Sequence, residues 1–161
     1  MSDFEERLNR AIKRGQGARD VKGREEGEKR ASEEGLRNRH SQLRLALSDH
    51  IERCLKQLTD HFPGFEFSTI VNEDGWGARI SRDDVNLNQR SSRNLYSRFE
   101  MRISPWSNAH ILELITKGTV RNRESLNRTN FRMLLEATED GFIEVIDGLA
   151  VEFAEQYAAQ P

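Results

Sequence analysis

The chain has 161 residues, 35% apolar and 32% charged, with a net charge of −2 at neutral pH. That length holds one domain with a real core but not two comfortable ones, and the low apolar share points to a segment outside that core. A single cysteine, Cys54, excludes an internal disulfide, and no apolar run approaches the ~20 residues that cross a bilayer.

The opening MSDFEERLNR lacks the apolar region of a secretory signal, so the sequence reads as cytoplasmic. Ser2 and Glu5 match a capping box, and Asp3, Glu5 and Glu6 suit the positive end of a helix dipole. Phe4, Leu8, Ala11 and Ile12 fall on one apolar stripe of a helix ending near Arg14. Fourteen residues are marginal as an isolated helix, so this stripe calls for a partner. Gly15, Gly17, Gly23, Gly27 and Gly35 then interrupt a highly charged stretch that cannot bury enough surface to offset its ordering entropy. Residues 1–40 therefore read as a short capped helix plus a charged flexible linker, and residues 41–161 as a compact domain.

From Ser41 the periodicity is helical: Leu43, Ala46, Leu47, His50, Ile51, Cys54, Leu55, Leu58 and Phe62 recur on one side. Pro63-Gly64 stops this helix. The period then becomes two. FEFSTIV (65–71), the turn NEDG (72–75) and WGARIS (76–81) form a hairpin, followed by a polar loop over 82–94. LYSRFEMRIS (95–104) alternates, with Leu95, Ser97, Phe99, Met101 and Ile103 on one face and Tyr96, Arg98, Glu100 and Arg102 on the other. SPWSNA turns the chain into HILELIT (110–116), a central strand, and Lys117-Gly118 is the expected turn into TVRNRESL (119–126). Residues 130–137 fit either a strand or a short helix. A final helix spans about Asp140–Tyr157, with Asp140 as its cap and a stripe of Phe142, Val145, Ile146, Leu149, Phe153 and Tyr157. The expected fold class is α+β. It is an antiparallel sheet of about five strands with two amphipathic helices packed on one face, preceded by the charged N-terminal segment.

Charge is segregated along this chain. Residues 79–132 carry 11 basic and 5 acidic side chains, while residues 133–161 carry 7 acidic and no basic ones. Arginine outnumbers lysine 20 to 5, and guanidinium makes the better bidentate contact to carboxylate or phosphate. Tyr96, Arg98, Arg102, Arg121 and Arg123 are expected on the sheet face away from the helices. Arg79, Arg82, Arg90, Arg93 and Arg128 are expected in the adjacent loops. Arginines neutralise phosphates and an aromatic ring stacks on bases, so this face suits single-stranded nucleic acid. The plainer account is a solvated sheet face, partly neutralised by Glu100, Glu124 and the acidic last helix.

No catalytic pattern is present. There is no glycine-flanked nucleophile elbow, His110 has no evident partner, and Asp83-Asp84 and Glu139-Asp140 diverge as sequence neighbours. DGWG has neither the spacing nor the following helix of a phosphate loop. His50, Cys54 and His61 offer only three candidate ligands to a metal, and Cys54 lies in the apolar stripe, so no metal or cofactor is expected. The reading that results is a non-catalytic cytoplasmic protein-interaction module. Phe4, Leu8, Ile12 and the hairpin-tip Trp106 are its binding anchors, and a helix-mediated homodimer is one form the partnership could take. Nucleic-acid binding through Tyr96, Arg98, Arg102, Arg121, Arg123 and Arg128 is the alternative.

Overall fold

A computed structural model describes residues 3–85 and 94–160. Ser2 of the expected capping box, and Arg90 and Arg93 of the expected loop, lie outside the described residues. The elements run α1 (Asp3–His61), β1 (Glu66–Asn72), β2 (Gly75–Val85), β3 (Asn94–Ile103), β4 (Ile111–Val120), β5 (Arg123–Met133) and α2 (Glu139–Ala159). Two compact units divide the chain, Met1–Asn38 and Arg39–Pro161. No helix among the described residues is long and apolar enough to cross a membrane.

The first unit is helical. The stretch expected as a linker, 15–40, lies inside α1 rather than breaking it. Each interior glycine costs a helix about 1 kcal/mol relative to alanine. That is far below the cost of a proline, and none occurs before Pro63. The intervening residues are mostly good helix formers. Pairs one turn apart add small increments, with Glu6 and Arg10 3.9 Å apart and Glu33 and Arg37 4.0 Å apart.

The second unit is an α+β layer. Its sheet is a meander of order β1-β2-β3-β4-β5, antiparallel throughout, as the alternating patterns require. Leu47, Ile51 and Leu55 of α1 and Ile146 and Phe153 of α2 are buried, as are Ile80, Phe99, Met101, Ile103, Leu112 and Leu114 on one face of the sheet. Both helices lie on that face. Phe153 stacks on Phe99 with ring centroids 4.6 Å apart, and the Arg44 guanidinium sits 4.0 Å over the Trp76 ring. Arg39, at the start of this unit, donates from Nε to the Leu134 carbonyl at 2.7 Å and from Nη2 to the Ala137 carbonyl. It thereby ties α1 to the connection between β5 and α2.

Four local expectations change. β2 continues to Val85 instead of ending at Ser81, and residues 123–133 are strand, which settles the open assignment of 130–133. Strand β4 runs straight through Lys117-Gly118. The turn is Arg121-Asn122, both at positive φ (47° and 70°), the conformation that a two-residue type I′ hairpin requires. Asn122 tolerates it because its amide is used: Oδ1 accepts from Tyr96 N–H and Nδ2 donates to the Asn94 carbonyl, both at 2.9 Å. Finally, α2 is capped by Thr138, whose hydroxyl accepts from Gly141 N–H at 3.1 Å, so Asp140 serves in the first turn instead.

Candidate functional site

In the N-terminal unit, Phe4, Leu8 and Ile12 are 71%, 46% and 49% exposed. Their spacing of four residues stacks them on one side of α1. Arg7, Arg10, Lys13 and Arg14 line a shallow cleft on the same stretch of helix. An apolar ridge flanked by cations is therefore presented to solvent.

The arginine set does not share one surface. Tyr96, Arg98 and Arg102 do lie together on the open face of β3, opposite to Phe99, Met101 and Ile103. Glu100 lies among them, only 6% exposed, accepting from Arg79 Nε at 3.2 Å and lying 4.0 Å from Arg102 Nη1. Arg121 sits in the β4–β5 turn, its guanidinium 5.6 Å from the Tyr157 ring, and Arg123 pairs with Val120. Arg128 pairs with Thr116 on the helix side of the sheet, 3.3 Å from Glu152 of α2. It is a strand residue of β5, not a loop residue. Glu100 and Glu152 thus neutralise part of the charge that a phosphate backbone would need.

Trp106 is half-buried. Its ring meets His40 edge-on at 5.9 Å and lies tilted on His110 at 5.3 Å. His40 is 3% exposed, with its Nε2 3.2 Å from the Ser104 carbonyl, to which a neutral ring can donate. Burial holds the His40 pKa below its ordinary 6.5, against the opposing pull of the Ser104 hydrogen bond, and nearby Arg44 lowers it further. A depressed histidine stabilises the fold above its unfolded value, because the unfolded chain takes up the proton first on acidification. Stability should therefore decline as pH falls below about 6.5 toward the folded value. His40→Gln, which keeps a donor for Ser104, should flatten that decline in urea titrations. An unchanged pH profile would assign it to other groups.

The remaining cluster joins the two helices of the second unit. His50 and Cys54 stand one turn apart on α1, and Asp147 faces them from α2. His50 Nε2–H donates to Asp147 Oδ1 at 2.7 Å, the Cys54 thiol donates to the same oxygen at 3.3 Å, and Sγ lies 3.4 Å from His50 Nε2. Burial, then the hydrogen bond and charge of Asp147, push the Cys54 thiol up to about 12. The thiol is accordingly protonated at neutral pH, and one nitrogen of His50 serves both neighbours. A nucleophilic triad needs the opposite, a base whose second nitrogen is oriented by the acid. The three side chains border a cavity of about 430 Å³ with Arg53, Gln57, His61 and Val151. Cys54 is half-buried at the helix–helix boundary rather than central to the core. The sequence pointed to His50 and Cys54 through their spacing, but Asp147 stood among seven acidic residues after position 132 with nothing to single it out. No family model, curated protein or solved structure matches the chain.

Proposed function

We propose that the chain is a non-catalytic protein-interaction module of the cytoplasm, whose N-terminal helix lays Phe4, Leu8 and Ile12 into an apolar groove on a partner. The observation that carries this reading is the exposure of those three side chains, 71%, 46% and 49%, on a single helical side. Scattered exposed apolar residues are ordinary, but a ridge at helical spacing is the pattern by which amphipathic helices dock. The cations Arg7, Arg10, Lys13 and Arg14 beside the ridge favour a groove with an acidic rim. The alternative, single-stranded nucleic acid on the open sheet face, keeps only Tyr96, Arg98 and Arg102 of its six expected residues together there, and Glu100 stands among them.

The test is quantitative capture of cellular proteins by the full chain and by a Phe4→Ala/Leu8→Ala/Ile12→Ala variant. Alanine keeps helix propensity while removing the ridge. Proteins retained by the wild type, including a second copy of the chain, should be lost from the variant and should elute with rising salt. Equal capture by both proteins would discard the ridge as the docking surface.

A further inference from the structure

We propose that His50, Cys54 and Asp147 form a binding site for a divalent transition-metal ion of the zinc type, bridging α1 and α2. The inference stands on donor geometry. The pairwise separations of Nε2, Sγ and Oδ1 are 2.7, 3.3 and 3.4 Å. Donors placed 2.0–2.3 Å from a tetrahedral ion stand about 3.3–3.7 Å from one another, so both sulfur edges already have that spacing. Only the His50–Asp147 edge must open, by about half an ångström on the same geometry. Asp147 is half-exposed on α2 and has the freedom to move that far.

The present hydrogen bonds explain why the atoms converge without an ion. An N–H and an S–H both point at Oδ1, so two protons occupy the space where a cation would sit. Metal binding replaces them: the thiol proton leaves to water, and the imidazole gives up its Nε2 proton and takes one on Nδ1, so that it binds through Nε2 as the neutral ring. The new bonds are metal–sulfur, metal–nitrogen and metal–oxygen. One thiolate and one carboxylate balance a dication, and the imidazole is neutral. Arg53, a cationic side chain lining the same cavity, is already engaged by Asp49 at 2.9 Å. The fourth position faces the adjoining cavity, which has room for water and which His61 also lines. Thiolate and imidazole select zinc, cobalt, nickel or copper over magnesium and calcium, whose sites are built from oxygen. An ion held this way cross-links the two helices that cover the sheet, a structural role independent of the N-terminal ridge.

Two measurements on the full chain decide the matter. Titration with Co²⁺ should produce thiolate-to-metal charge-transfer absorption together with visible bands of a tetrahedral ion. Calorimetric titration with Zn²⁺ should give one ion per chain and a raised melting temperature. In Cys54→Ala and His50→Ala the affinity should fall by more than ~100-fold, the upper end of what loss of an outer-shell partner alone costs. Asp147→Asn, a change at an exposed side chain that leaves the core intact, should also weaken binding and keep the charge-transfer band at saturating Co²⁺. A cobalt spectrum without that band, no zinc binding, or equal affinity in Cys54→Ala would overturn the site and leave the cluster as a hydrogen-bonded clasp.

Discussion

Replacing Phe99 with alanine should lower the stability of the Arg39–Pro161 unit by about 3–5 kcal/mol, the range for deleting a fully buried aromatic ring. Phe99 is 0% exposed, as is Phe153, and their rings stack 4.6 Å apart at 19°. Phe153 also meets Phe65 edge-on at 6.3 Å, and Tyr157 lies against both Phe65 and Phe62 at 5.0 Å. These contacts join the central strand to the ends of both helices. Removing the Phe99 ring leaves a void that Phe153 cannot fill without losing its other neighbours, so little collapse is available. Urea unfolding followed by tryptophan fluorescence measures the loss. A double-mutant cycle with Phe153→Ala should return a coupling of about 0.5–1.5 kcal/mol for the stacked pair. A loss below about 1 kcal/mol for Phe99→Ala would mean that the layer is held elsewhere.

Legibility in the sequence followed the strength of each local pattern. The alternation of Leu95, Ser97, Phe99, Met101 and Ile103 and the spacing of Phe142, Ile146, Leu149 and Phe153 gave the correct faces, because burial on one side leaves a period that composition cannot hide. Gly118 misled. Glycine is the usual mark of a turn, but here it makes room: a Cβ would lie 3.4 Å from the Phe153 ring and 3.1 Å from Leu126 Cβ. The true turn uses Arg121, a residue with no preference for positive φ, so only Asn122 signalled it. Arg128, expected in a loop, is a residue of β5 instead, and the register shift between Gly118 and Thr119, which no local pattern announces, turns it toward Glu152. The polar end of β2 failed for a related reason. Arg82, Asp83 and Asp84 look like loop, but Arg82 is held by Asp84 at 2.6 Å and by the Pro63 carbonyl at 2.6 Å. Asp147 needed the packing of α2 against α1, a tertiary fact that no local window contains.

Gly77→Ala and Gly148→Ala should change stability in opposite directions, although each adds one methyl group. In β2, a Cβ on Gly77 would lie 1.9 Å from the Met101 carbonyl oxygen and 2.8 Å from Arg102 Cα. Both are backbone atoms of β3, the strand directly paired with it. No rotamer change relieves that contact, so β2 must move away from β3 and give up ladder hydrogen bonds where the sheet is most central. The expected loss is about 3 kcal/mol, at the upper end for forced overpacking. Gly148, on the exposed side of α2, has nothing within 4 Å of the added Cβ. There the change only reduces the freedom of the unfolded chain and should stabilise by about 0.5–1 kcal/mol. Parallel denaturant titrations of the two variants read both signs at once. If Gly77→Ala proved as benign as Gly148→Ala, the close approach of β2 to β3 at Arg102 would be wrong. The register that sets Tyr96, Arg98 and Arg102 on the open face would then fall with it.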